Sequence, residues 1–257
     1  MLPNPLVLPN AWDAASARVS EACGAAAIAT SSAGLAWSLG YADGQYLPFE
    51  ELLGAIRRIV RVVHVPVSAD IEGGYGERID DLLRSINALV DTGAVACNIE
   101  DWDPKTDRLI DADTAYERIA AVKKRFGDAM YVNARCDIYF REAVEGDLVA
   151  ATCERLRGFA LAGCDGVFVP GPTEGDEIRA FVAATDRPLN VLAMPGSPDI
   201  AEMRELGVRR VSTGSSPMSR IMRATADVAH ELLDLGTYNF IEDRMPYSEA
   251  NALFLPT

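Results

Sequence analysis

The chain has 257 residues, 49% of them hydrophobic, and a formal net charge of -14. That length and apolar content can build one sizeable core, and an α/β barrel of this size commonly forms a single domain. The acidic balance excludes the basic patch of a nucleic-acid binder, and it requires a metal or a committed arginine wherever an anionic ligand is held.

The predicted elements repeat one theme along the chain: a short apolar run, a polar or glycine-rich turn, then an amphipathic helix. Strands are expected at 6–9 (LVLP), 25–30 (AAAIAT), 65–72 (VPVSADIE) and 94–101 (AVACNIED). They continue at 130–136 (MYVNARC), 166–170 (GVFVP), 188–194 (PLNVLAM) and 208–214 (VRRVSTG). Leu52, Ile56, Ile59 and Val63 recur at helical spacing, with Pro48 suited to the helix start; Ile79, Leu82, Ile86 and Leu89 do the same further on. Strands alternating with helices and no linker-like stretch predict a (β/α)8 TIM barrel over residues 1–240. A doubly wound sheet is the alternative, but no G-x-G-x-x-G follows the first strand. The tail, 241–257, together with Tyr238 and Phe240 just before it, is apolar enough to predict docking on the barrel or on a neighbouring subunit.

No run approaches a membrane span, and the start, MLPNPLVLPNAWD, lacks the basic-then-apolar plan of a signal peptide, so a cytoplasmic protein is expected. The five scattered cysteines form no C-x-x-C and read as reduced, mostly buried thiols. His64 and His230 are far apart, which argues against a His-rich zinc site or a Ser-His-Asp triad. STGSS at 212–216 reads as a loop and helix cap rather than a phosphate cradle.

Strand parity predicts where chemistry lies. Ser68, Asp70 and Glu72 share a face on an extended strand, as do Asn98 with Glu100 and Asn133 with Arg135. In each case polar residues gather at the C-terminal end, the rim where barrel enzymes place their active sites. Asp70, Glu72 and Glu100 held together would repel one another, and a divalent cation relieves that repulsion. Hard oxygen donors without histidine or thiol suit Mg2+ or Mn2+. Rim carboxylates paired with lysine or arginine are the other reading of the same spacing.

These residues carry a family resemblance. SADIEGGYG resembles the D-x-D-[TG]-G-[YF]-G signature of the isocitrate lyase/phosphoenolpyruvate mutase superfamily, with Glu72 in place of the second aspartate. ATSSAGLAWSLGYADG resembles that family's second strand segment and supplies Asp43; NIEDWDPKTDRL resembles its gating loop, and VNARCD its A-R strand. The resemblance implies a barrel of the phosphoenolpyruvate/pyruvate type, in a dimer or tetramer whose subunits swap the C-terminal helix. It implies Mg2+ bound by Asp70, with Asp43, Glu72 and Glu100 holding its waters. It also implies a small anionic 2-oxo or 2-hydroxy acid substrate held by Ser31, Ser32, Ala33, Arg135 and Asn190.

The departures from the family narrow the chemistry expected. Breaking the bond to C3 of such a substrate leaves an enolate, which a cation on its oxygen stabilises. Isocitrate and methylisocitrate lyases carry a K-[KR]-C-G-H loop, whereas DWDPKTDRLID has neither Cys nor His. The mutase and phosphonopyruvate hydrolase pattern fits better at Lys105 and Thr106, but Asp107 replaces an asparagine, and Pro170 stands where the mutase uses a histidine. The expected function is therefore Mg2+-dependent cleavage or hydrolysis of a C–C bond in a 2-oxo or 2-hydroxy (di)carboxylate. Lys105, Asp107 or a metal-bound water is assigned the proton work, with Tyr41 or Tyr75 assisting. P–C bond chemistry is the alternative, and a non-catalytic metal-dependent carboxylate binder is a second.

Overall fold

A computed structural model of the chain describes residues 4–255. Its frame is a ring of parallel strands. They are β1 (Leu6–Leu8), β2 (Asn10–Ala11), β3 (Ile28–Thr30), β4 (Val67–Asp70) and β5 (Ala96–Glu100); after a hairpin of β6 (Trp102–Asp103) and β7 (Arg108–Leu109) come β8 (Tyr131–Arg135), β9 (Gly166–Pro170), β10 (Leu189–Leu192) and β11 (Arg210–Ser212). The sheet order is β1-β11-β10-β9-β8-β5-β4-β3-β2, with every pair parallel. Because β1 and β2 are consecutive, the two edges of that order meet and the ring closes. Pro9 separates them: it has no N–H to donate, yet its carbonyl accepts the Ala29 N–H at 3.2 Å.

The helices are α1 (Ala14–Ala22), α2 (Ser32–Ser38), α3 (Phe49–Val62), α4 (Ile79–Val90), α5 (Ala112–Phe126), α6 (Ile138–Arg141), α7 (Leu148–Leu161), α8 (Gly175–Ala183), α9 (Ile200–Glu205), α10 (Ser216–His230) and α11 (Tyr247–Ala252). The two predicted periodic stripes fall on α3 and α4, where Leu52, Ile56, Ile59, Leu82, Ile86 and Leu89 are fully buried against the strands' outward side chains. Pro48 is the N-cap of α3, one residue outside the helix. Capping side chains set several other starts: Asp111 accepts the Thr114 N–H at 3.0 Å and Asp147 the Ala150 N–H at 2.9 Å. Four cysteines are buried and Cys23 is exposed, all free.

Three local expectations change. The strand expected at 25–30 starts at Ile28, and the one expected at 65–72 ends at Asp70, because Glu72 has φ +51° and lies beyond the strand. Asp70 and Glu72 therefore do not share a face through strand parity. The segment after Glu100 folds into the β6–β7 hairpin instead of an open loop. At the C-terminal end, α10 buries no side chain against its own barrel. The tail touches the barrel where Arg18 Nε donates to the Leu253 carbonyl at 2.8 Å, while Tyr247, Phe254 and Leu255 stay exposed. Residues 256–257 of the predicted tail, and residues 1–3 of the predicted barrel, lie outside the described residues. No helix among the described residues is long and apolar enough to cross a membrane.

Candidate active site

Asp70 is the last residue of β4 and is buried. Its N–H donates to Thr30 Oγ1 at 2.8 Å, tying the strand end to β3. Its carboxylate accepts from the Ser32 hydroxyl at 3.2 Å and from the Glu72 N–H at 3.2 Å. Ser32 opens α2, which Ser31 caps by accepting the Gly34 N–H at 3.1 Å; Ala33 is buried in the same turn. The segment expected to hold a substrate carboxylate thus lies against Asp70.

Glu72 reaches the site by a left-handed turn. Glu72 (φ +51°), Gly74 (φ +90°) and Tyr75 (φ +53°) fold the chain back, and the Glu72 carboxylate accepts the Gln45 N–H at 3.1 Å and the Tyr75 hydroxyl at 3.3 Å. Gly76 permits the return, since a Cβ there would sit 2.6 Å from Asp81 Cβ. Burial, followed by the charges of Asp43 and Asp70, pushes the Glu72 carboxyl up to about 7. Desolvation and Asp70 raise Asp43 as well.

Glu100 ends β5, and Arg135 beside it ends β8. Arg135 Nη1 lies 2.8 Å from Glu100 Oε2, and Nη2 donates to Asp137 Oδ1 at 2.6 Å. Burial opposes charge on Arg135, but the Glu100 and Asp137 carboxylates outweigh it and hold the guanidinium above its usual range. Burial raises Glu100 against the pull of Arg135. Arg135 Nε is buried without a partner. The guanidinium expected to pair with substrate is thus committed on both Nη atoms.

Asp137 and Asp101 had no role assigned from sequence. Asp137 is fully buried, and its N–H donates to Asp101 Oδ1 at 2.8 Å; Asp101 Oδ2 lies 3.4 Å from Arg155 Nη1. They form an ordered carboxylate chain behind Arg135. The only signal was adjacency, Asp101 directly after Glu100 and Asp137 two residues after Arg135.

Other expected residues stand apart from this cluster. Lys105 Nζ is 2.7 Å from Glu77 Oε1, both exposed, and Asp107 is exposed with φ +52° in the β6–β7 turn. The Tyr41 hydroxyl donates to exposed Glu51 at 2.8 Å, so Tyr75, not Tyr41, is the phenol at the carboxylates. Asn190 is buried in β10 and donates to Ser212 Oγ at 3.1 Å, leaving its Oδ1 without a partner. The N–H groups of Thr213 and Gly214 both donate to Asn10 Oδ1, at 2.8 and 3.0 Å, which accounts for the loop reading of STGSS. A groove of 890 Å³ lies between α3, α4 and the β6–β7 hairpin, lined by Gln45, Tyr75, Trp102 and Lys105 among others; Asp70, Glu72, Glu100 and Arg135 do not line it.

Among the described residues, no three acidic, histidine or cysteine side chains converge closely enough to ligate one ion directly. The donors nevertheless fit a hard cation held by one protein ligand and waters: burial and acidic neighbours raise the Glu72 and Glu100 carboxyls, Asp43 is exposed beside them, and among the described residues Arg135 is the one guanidinium paired with any of these groups.

A closed parallel barrel with buried carboxylates and an arginine at its C-terminal rim defines an enzyme class, the phosphoenolpyruvate mutase/isocitrate lyase barrels, whose members are lyases, mutases and hydrolases. The chain belongs to the phosphoenolpyruvate phosphomutase family, whose model matches residues 2–233. The uncharacterized protein Rv1998c of Mycobacterium tuberculosis is 36% identical over 249 residues, covering 96% of this chain and 91% of that one. An oxaloacetate decarboxylase of Paraburkholderia xenovorans is 30% identical, covering 90% and 79%. A solved structure from Burkholderia cenocepacia J2315, with the provisional name phosphonomutase, superposes with a TM-score of 0.82 at 42% identity, covering 88% and 93%.

Proposed function

We propose that the chain is a Mg2+-dependent enzyme that cleaves or hydrolyses a C–C bond of a 2-oxo or 2-hydroxy (di)carboxylate. The observation that carries this is the set of buried carboxylates Asp70, Glu72 and Glu100 at the strand ends, with Asp43 exposed at their mouth and Arg135 2.8 Å from Glu100; burial and acidic neighbours raise the Glu72 and Glu100 carboxyls. Asp70 would hold the ion, and Asp43, Glu72 and Glu100 its waters. When bound, Mg2+ supplies a positive charge that stabilises the oxyanion developing as the bond breaks.

The chain's own residues bind and orient. Ser31, Ser32 and Ala33 receive the substrate carboxylate at the start of α2. Arg135 adds a charge-assisted hydrogen bond through its unpartnered Nε, or by exchanging Glu100 or Asp137 for substrate; Asn190 Oδ1 offers a further acceptor in the lumen. Tyr75 holds its proton on the Glu72 carboxylate at the pocket wall. The β6–β7 hairpin carries Lys105 and Asp107 as donor and acceptor, and it must swing inward for either to move a proton at C3.

The resemblance to the 42% identical structure favours a second reading, P–C bond chemistry. Against it, β9 ends on Pro170 with no histidine, and Asp107 adds a negative charge at the loop that would face a phosphonate. Incubation with C4–C6 oxo- and hydroxy-acids and with phosphonopyruvate, with and without EDTA, tests both. Metal-dependent release of a 2-oxo acid, oxalate or carbon dioxide supports the first reading, and inorganic phosphate or phosphoenolpyruvate supports the second. Ligand stabilisation without turnover would leave a binder and sink both. Asp70→Ala is expected to abolish any Mg2+ dependence.

A further inference from the structure

The opposite end of the barrel carries a cavity that the rim chemistry does not use. Lumens of this fold are normally filled by layers of bulky side chains. Here the inward positions near the strand starts include Ala27, Ser68 and Ala96, and these small residues leave a cavity of 750 Å³ open to the N-terminal face. That volume is in the range of small-molecule sites. Leu6, Leu8 and the ring of Tyr131 give it apolar walls.

Arg210 reaches into this cavity from the first position of β11 and is only 8% exposed. Its Nη2 donates to Ser68 Oγ at 2.9 Å, and its Nε is buried without a partner. The Nε atoms of Arg118 and Arg135 are unpartnered as well, but the Nη groups of Arg118, Arg135 and Arg155 each face two or more acceptors or a carboxylate, whereas Arg210 has Ser68 alone. Arg118 donates to the carbonyls of Gly73, Gly76 and Glu77, Arg155 faces Asp101 and the Ile110 carbonyl, and Arg135 faces Glu100 and Asp137. No carboxylate of the described residues forms an ion pair with Arg210. A buried guanidinium with one neutral partner is costly and calls for an explanation.

We propose that this cavity is a second ligand site, taking a small monocarboxylate with an apolar chain. The carboxylate meets the free edge of Arg210, and the chain lies along Leu6, Leu8 and Tyr131. The site opens at the end of the barrel away from Asp70, so it is separate from the rim carboxylates and does not depend on which bond they help to break. The competing account is that Arg210 serves only as a distant counter-charge to Asp70, which is two residues beyond Ser68 on the same strand face.

Calorimetry and thermal shift with octanoate, octan-1-ol and octylammonium on the full chain separate these accounts. Octanoate is expected to bind saturably and raise the melting temperature, with the alcohol and the cation at least about tenfold weaker. Arg210→Met keeps the length and removes the charge, and it is expected to weaken octanoate by about tenfold or more. Ala96→Leu fills the cavity with Arg210 intact and should block octanoate, which keeps the test informative if Arg210→Met does not fold. Asp70→Ala should bind octanoate as the wild type does. Absence of octanoate binding, equal binding of all three probes, or octanoate binding that Asp70→Ala abolishes and Ala96→Leu spares would each overturn the proposal.

Discussion

Glu72 sits where three carboxylates press on one another, and that crowding decides what its replacement should do. Its carboxyl is buried and raised by Asp43 and Asp70, so in the metal-free protein its ionised form works against folding. Glu72→Gln keeps the shape and an acceptor for Tyr75 and Gln45 while removing one charge. The metal-free variant is expected to be more stable in urea by about 1 kcal/mol, and to gain less from added Mg2+ than the wild type. A variant less stable without metal and equally responsive to it would contradict the assignment. Asp137 argues the reverse case. It is fully buried against Arg135, and Asp137→Ala strands half of that guanidinium. A loss of about 3 kcal/mol in denaturant unfolding is expected, and Asp137→Asn, which can still accept a hydrogen bond, should recover part of it. At this scale Asp70, Glu100 and Arg135 were legible because they end strands, where inward parity and the rim coincide. Asp137 was not, because its place depends on how the chain bends after β8. Arg210 was hidden for another reason: its register says only that it points inward, not that its side chain crosses to Ser68.

The turn between β4 and α4 shows what an element adds to its residues. Parity along an ideal strand put Asp70 and Glu72 on one face, but the strand stops at Asp70 and the left-handed backbone at Glu72 delivers the second carboxylate. The two carboxylates do come near each other, but by a turn and not by strand parity. The glycines explain how: Gly74 takes φ +90°, and a Cβ on residue 76 would meet the Leu82 N at 2.7 Å. Gly76→Ala must push the turn off the start of α4. A destabilisation of about 2 kcal/mol is expected, together with weaker Mg2+ response, because Glu72 and Tyr75 move with the turn. Loss of stability with the metal response intact would separate the turn from the site. The β6–β7 hairpin was illegible for a related reason, since its strands are two residues each and carry no period. Its closed pairing, with Lys105 tied to Glu77, sets the demand on mechanism. If Asp107 moves a proton in a closed state, Asp107→Asn lowers kcat while leaving KM for substrate nearly unchanged, and unchanged turnover removes Asp107 from the chemistry.

At the scale of the molecule, α10 is the long helix that its own barrel covers least. It is a 15-residue helix with no buried side chain, and the turn after it leaves Leu233 84% exposed. Ile221, Met222, Leu232 and Leu235 are exposed on the same segment. An amphipathic helix that buries none of its apolar stripe gains little from folding alone, and so much exposed apolar surface marks an interaction face. The helix swap expected from the sequence would make a second copy of the chain the occupant, with each α10 covering the other subunit's barrel. Light scattering after size exclusion should then give a mass that is a multiple of 27.7 kDa. The paired change Ile221→Glu and Leu233→Glu should shift it toward one subunit and lower the melting temperature, since a charge on that face cannot be buried without a partner. Wild-type protein that stays a single subunit at micromolar concentration would remove the swap and leave the exposed stripe to a different partner.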